Sequence, residues 1–174
     1  MSLTLVLMRH AKSTWDDPTM DDSQRGLNAR GRIAAPAIAN WLVAKGYLPD
    51  TVLVSSARRT VETWERMAAI MPETATMESN PALYLASPDI ILNVVKNQTS
   101  PVIMLIAHNP GIAEFAERIL QAKPDHPKFA RHPTAATTII EFDAPNWDTI
   151  NWQQGRAIDF VVPSDLDDSP FEKT

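Results

Sequence analysis

At 174 residues the chain suits one domain with a sizeable core, and its 44% hydrophobic and 21% charged residues are a globular balance. The absence of cysteine excludes a disulfide framework, a thiolate metal site and a thiol nucleophile. A formal net charge of −5 argues against nucleic acid or an anionic membrane as partner. No stretch approaches the roughly 20 apolar residues of a membrane span, and the run Leu3 to Met8 is too short for a signal h-region. These features predict a soluble, cytoplasmic protein. Charge is unevenly placed: residues 1–60 hold eight Lys or Arg against five Asp or Glu, and residues 61–174 hold eight against sixteen. A basic N-terminal third in an acidic protein suits a small anion.

Short apolar runs alternate with segments of helical period, the pattern of a three-layer α/β/α domain. The first strand is Leu3 to Met8, followed by a polar, Asp-rich loop from Trp15 to Gln24. Asn28 reads as the N-cap of a helix with Ala34, Ile38, Trp41 and Leu42 inward and Gly46 as its stop. Pro36 inside that span predicts a kink or a second helix start. A strand at Thr51 to Val54 leads to a helix with Val61, Trp64, Ala68 and Met71 on one face, stopped by Pro72. Ser87, Pro88 and Asp89 open a helix to about Val95. The most apolar strand, Val102 to Ile106, is followed by a helix opened by Asn109 and Pro110, with Ile112, Phe115, Ala116, Ile119 and Leu120 inward. Residues 122–135 read as a mobile basic loop flanking the crevice. Strands near Thr137 to Phe142 and Ala157 to Val162 predict an antiparallel edge on a mostly parallel sheet. One domain over residues 1–166 and a flexible tail over 167–174 complete the reading.

Three strand ends carry the chemistry. The first ends in Arg9-His10, the second passes through Ser55-Ser56 to Arg58, and the third ends in His108. Ligands of open α/β sheets bind beyond the carboxyl ends of the strands. Two arginines and two histidines delivered there point to an anion, and guanidinium forks favour phosphate. Helix starts near Arg58 and after Asn109 would add backbone N–H groups and helix dipole. None of the five glycines builds a dinucleotide fingerprint or a P-loop, and neither a G-x-S-x-G elbow nor an H-E-x-x-H helix occurs. His126 and His132 lack a nearby carboxylate at metal-ligand spacing, so no metal or other cofactor is expected.

The segment Arg9-His10-Ala11-Lys12-Ser13, with Trp15 nearby, resembles the histidine phosphatase superfamily, whose members carry Arg-His-Gly or Arg-His-Ala after the first strand. Arg25-Gly26-Leu27-Asn28-Ala29-Arg30-Gly31, Ser55-Ser56-Ala57-Arg58-Arg59-Thr60, Leu83-Tyr84, His108-Asn109-Pro110-Gly111 and Asp159 to Pro163 are similar to its short SixA-type phosphohistidine phosphatases. The resemblance spans residue 3 to about 166 and implies a phosphoglycerate mutase-like fold. It makes His10 a nucleophile that becomes phosphohistidine, with Arg9, Arg58 and a cationic His108 completing the phosphate pocket. Lys12, Ser13 and Asn109 join them as substrate-binding candidates.

Many members of the superfamily carry a Glu proton donor just ahead of the segment matching Leu83-Tyr84, where this chain has Asn80-Pro81-Ala82. Glu78, Asp16, Asp17, Asp21 and Asp22 are the remaining candidates. The implied activity is a metal-independent phosphatase acting on phosphohistidine in a signalling protein. A phosphatase of a small phosphorylated metabolite and an inactive phosphate-binding interaction module are the alternatives.

Overall fold

The computed structural model describes residues 2–166; the expected tail at 167–174 lies outside them. Six strands, β1 (Ser2–Arg9), β2 (Thr51–Ser55), β3 (Thr76–Asn80), β4 (Val102–Ala107), β5 (Thr137–Asp143) and β6 (Arg156–Val161), form one sheet. Their order is β3-β2-β4-β1-β5-β6. The first four of that order run parallel, while β5 is antiparallel to β1 and β6 to β5. The helices are α1 (Ala29–Lys45), α2 (Arg58–Ala68), α3 (Pro88–Lys96) and α4 (Gly111–Ile119).

The alternation along the strands assigns each helix to a face. Leu3, Leu5 and Leu7 of β1 point with Ile103 and Leu105 of β4 into a core shared with α3 and α4. Val6 and Met8 point the other way, with Val52, Val54, Met104 and Ile106, against α1 and α2. Strand β1 lies inside both cores, and Leu5, Val6, Leu7 and Met8 are fully buried. Burying each such side chain contributes about 2 kcal/mol before entropy is counted. The predicted three-layer arrangement with its antiparallel edge is therefore the observed one.

Local expectations differ from the structure in two places. Helix α1 runs unbroken through Pro36, capped by Asn28 Oδ1 accepting from the Gly31 N–H at 2.9 Å and closed at Gly46 in the left-handed region. Pro36 cannot donate to the Arg32 carbonyl, yet the buried stripe Ala34, Ala35, Ile38, Ala39 and Leu42 holds the helix together across the missing bond. Strand β3 was not among the predicted runs. Its residues Thr76 to Ser79 are exposed, so this edge strand lacks the apolar alternation that announces a buried one.

Register aligns the chemistry. Arg9 of β1 sits opposite Ala107 of β4, and Val54 of β2 opposite Ile106. The His10 N–H donates to the Ala107 carbonyl at 3.1 Å, which extends the ladder one step past the last strand residue. The ends of β2, β4 and β1 thus lie side by side, with His108 in the middle.

The loop after β1 is pressed onto the start of α1. The Asn28 N–H donates to the Lys12 carbonyl at 3.0 Å, and a Cβ on Gly31 would stand 2.1 Å from that oxygen. Both partners of this clash are backbone, so neither yields by a rotamer change. Gly31→Ala should lower the unfolding free energy by at least about 2 kcal/mol in urea melts, whereas Ala29→Ser, at an exposed position, should change it little.

Candidate active site

A crevice of about 280 Å³ opens at these strand ends. Arg9, His10, Lys12, Ser13, Asp22, Arg59, His108 and Asn109 are among its lining residues. His10 and His108 are almost completely buried, with ring centroids 5.4 Å apart. His10 Nδ1 donates to the Ala11 carbonyl at 2.7 Å, which places the proton on that nitrogen and leaves Nε2 with a free lone pair. Burial holds His10 well below the ordinary histidine range, and the nearby His108, Arg9 and Arg59 add to the effect. Its imidazole is therefore neutral.

His108 Nε2 shares a hydrogen bond with Ser55 Oγ at 2.7 Å. Burial, reinforced by the Arg59 charge, pushes His108 down to about 3. The sequence reading expects a cationic His108; burial beside guanidinium groups instead favours the neutral ring. A bound dianion would act in the opposite direction.

The second arginine of the crevice is Arg59, not Arg58. Arg58 is exposed and pairs along α2 with Glu65 at 3.2 Å. Arg59 is buried and donates from Nη1 to the Asp22 carbonyl at 2.8 Å and from Nη2 to Asp22 Oδ2 at 3.0 Å. The reason is helix phase. Taking Val61 and Ala68 as inward turns Arg58 inward with them, three residues before Val61. The buried face of α2 is instead Arg59, Thr60, Thr63, Trp64 and Met67. Its threonines are buried because they are bonded: Thr63 Oγ1 accepts from the Ala11 N–H at 3.0 Å and donates to the Arg59 carbonyl at 2.7 Å. The i, i+4 pairing of Arg59 with Thr63 was the signal available in the sequence.

Asp22 organises the positive side. Its Oδ1 accepts from Arg25 Nε at 3.1 Å and Nη2 at 3.0 Å, and its Oδ2 accepts from Arg59 and from the Tyr84 hydroxyl. Desolvation opposes the charged form, but the bonds from Tyr84, Arg25 and Arg59 outweigh it and hold the carboxyl well below the usual range. Asp22 is thus a permanent anion and a poor proton donor. Among the candidate acids, Asp22 alone lines the crevice. Asp16 lines a neighbouring groove, Asp17 accepts bonds from Thr19, and Glu78 is exposed on β3.

Arg25 was missed from the sequence as a member of this network. It is buried, donates from Nη1 to Ser13 Oγ at 2.7 Å, and stacks 3.5 Å from the centre of the exposed Trp15 ring. Ser13 and Lys12, the substrate-binding candidates of the sequence, both line the crevice. Asn109 faces it too, but its Nδ2 donates to the Arg131 and His132 carbonyls at 2.8 and 3.1 Å. That amide straps the loop 122–135 to the start of α4. The same loop is pinned by His126 to Asp165 and by Lys128 Nζ to Ser164 Oγ, with Phe129 and His132 buried. The mobile flank expected there is an anchored segment.

Four buried side-chain nitrogens lack a hydrogen-bond partner among the described residues: Arg9 Nε, Arg59 Nε, His108 Nδ1 and His132 Nδ1. Three of the four belong to the crevice. Among the described residues no three His, Asp or Glu side chains converge as metal ligands.

Two measurements follow from this geometry. Arg59→Ala should weaken orthovanadate or tungstate binding by about 30- to 100-fold, the loss of about 2–3 kcal/mol of charge-assisted hydrogen bonding, while Arg58→Ala stays within about twofold. Calorimetric titration of both variants checks the assignment. Burial also holds His132 down to about 3, so His10, His108 and His132 are all neutral in the folded chain and titrate normally when unfolded. Below about pH 6.5 the unfolded state therefore binds more protons, and stability should fall with pH from there towards about 3. Urea midpoints should show a shallower fall for His132→Gln than for the parent.

The sequence profile of the histidine phosphatase superfamily, branch 1, matches residues 5–84. An uncharacterized chloroplastic protein of Arabidopsis thaliana is 34% identical over 132 residues, which cover 68% of this chain and 60% of that protein. The structure assigned as phosphohistidine phosphatase SixA from Agrobacterium tumefaciens superposes with a TM-score of 0.76 at 26% identity, covering 92% of this chain and 98% of that one. Its counterpart from Nakamurella multipartitia gives 0.77 at 26% identity over 94% and 97%. Among the described residues no helix is long and apolar enough to cross a membrane. The chain thus matches the histidine phosphatase superfamily in sequence over residues 5–84 and shares its fold with these SixA structures over nearly its whole length.

Proposed function

We propose that the protein is a phosphatase working through a phosphohistidine on His10, with a phosphohistidine side chain as its substrate. The observation that carries this reading is the set of buried, unpartnered nitrogens on Arg9, Arg59 and His108 around one neutral imidazole. An unpaired buried donor costs about 1–3 kcal/mol, and a phosphoryl group brings the acceptors that relieve it. The fold holds these groups unsatisfied, ready for an oxyanion.

In the first step His10 Nε2 attacks phosphorus while Nδ1 keeps its bond to the Ala11 carbonyl, which fixes tautomer and direction. The bond from phosphorus to the departing imidazole nitrogen breaks as the bond to His10 forms, and the substrate ring, protonated on its other nitrogen, leaves as neutral imidazole. Arg9 and Arg59 face the equatorial oxygens, where positioning and charge stabilisation supply most of the rate. Water then attacks the phosphoenzyme, releasing inorganic phosphate and restoring neutral His10.

The substrate class follows from the acids. The carboxylate that lines the crevice, Asp22, is locked as an anion by Arg25, Arg59 and Tyr84. An alkoxide leaving group requires a proton in the transition state, and a leaving imidazole requires less help. The name SixA carried by similar structures is in keeping with this choice.

The test is hydrolysis of p-nitrophenyl phosphate and of a phosphohistidine peptide, with EDTA present. The parent protein should hydrolyse the peptide faster, and His10→Ala should reduce both rates by at least about 10³-fold. Quenched reactions should contain an acid-labile, alkali-stable phosphoenzyme that His10→Ala lacks. Because His10 in the free protein stays neutral below the usual histidine range, the pH profile of kcat/KM should show no His10 ionisation down to about pH 5.5. Turnover that survives in His10→Ala would overturn the mechanism, and faster turnover of alkyl phosphates would overturn the substrate class.

A further inference from the structure

Beside the crevice lies a second pocket of about 220 Å³, and the two share Lys12 and Thr134 as lining residues. Its other polar walls are Arg30, from the first turn of α1, Lys128 and Ser164. Three cations thus surround one cavity in a chain of net charge −5. Among the described residues, Lys12, Arg30 and Lys128 form no ion pair with a carboxylate. The acid closest in sequence to this wall, Asp165, is already engaged. Its Oδ2 accepts from His126 Nε2 at 2.9 Å and from the Val162 N–H at 3.0 Å. Lys128 Nζ donates to Ser164 Oγ at 2.9 Å, which orients the ammonium with a neutral partner. The start of a 17-residue helix adds its positive end to the same wall.

Like charges gathered around a cavity repel one another, and the arrangement is relieved when an anion occupies it. We infer that this pocket is a second anion subsite, which receives a carboxylate carried by the same substrate whose phosphoryl group enters the crevice at His10. The inference rests on the phosphatase reading above and adds a substrate requirement to it: an acidic group within reach of the phosphoryl group. Lys12 lies between the two sites and faces both anions. The pocket thereby selects among phosphorylated molecules by their second charge, while the crevice treats their phosphoryl groups alike.

Calorimetric binding to the full chain, which needs no turnover, tests this. One arm compares a series of ω-phosphonocarboxylates of increasing chain length with alkylphosphonates of matched length. The other compares peptides carrying a stable phosphohistidine analogue, phosphoryltriazolylalanine, flanked by Asp or by Asn. The carboxylate should tighten binding about tenfold at the best spacing. That gain should disappear in Arg30→Gln and Lys128→Gln, persist in Arg30→Lys, and leave binding of the alkylphosphonate and turnover of p-nitrophenyl phosphate unchanged. A gain confined to the short compounds assigns the carboxylate to a small phosphorylated substrate; a gain confined to the peptides assigns it to an acidic phosphoprotein. Phosphonate binding without any carboxylate gain, or a gain that survives both Gln variants, overturns the subsite and leaves the phosphatase reading standing. Failure of phosphonates to bind at all, together with absent turnover, removes both.

Discussion

Two guanidinium groups, the half-buried Arg9 and the buried Arg59, face one small crevice, and the structure around them is arranged to tolerate that charge. Burial and the Arg59 charge lower the proton affinity of Arg9, a direct sign of how uncomfortable the arrangement is. The repulsion is contained in two ways. Asp22 is fixed as an anion between Arg25 and Arg59 and draws the second guanidinium into place. The two histidines stay neutral, so no further charge enters a volume that already holds too much. Both devices keep the crevice cationic, and nitrogens of Arg9, Arg59 and His108 stand without hydrogen-bond partners among the described residues.

Position comes from backbone rather than from side chains. His10 is held by the Ala107 carbonyl through its N–H and by the Ala11 carbonyl through its ring, so its imidazole has little freedom to turn. The Ala11 N–H is bound by Thr63 of α2, the helix that also carries Arg59. One helix therefore bonds the segment next to His10 and supplies the Arg59 guanidinium to the same crevice. A small displacement of α2 would shift both together, which preserves their separation. Such coupling suits a reaction in which placement counts for more than covalent chemistry.

The crevice sits between two different kinds of surface. Towards Trp15 and Leu85 the rim is exposed and apolar, with Trp15 lying over the Arg25 guanidinium. Towards Lys12, Arg30 and Lys128 it is cationic. A substrate presenting a phosphoryl group to this protein meets both, and its remaining atoms decide how well it fits.

The sequence by itself determined the layers of the fold, the strands β1, β2 and β4, and the delivery of Arg9, His10 and His108 to their carboxyl ends. These features are written in local patterns: apolar runs of strand length, caps such as Asn28 and Ser87, and polar residues immediately after a strand. What only the tertiary structure decided depends on contacts between distant segments. Whether Arg58 or Arg59 enters the site turned on the phase of α2, in which the buried Thr63 is bonded to the Ala11 N–H after β1. The state of Asp22 depends on partners 3, 37 and 62 residues away in the chain. The exposed strand β3 gains its identity from pairing with β2, because its own residues carry no apolar period. Proton affinities, too, are properties of burial and neighbouring charge, which a sequence of titratable residues does not contain until the chain has folded.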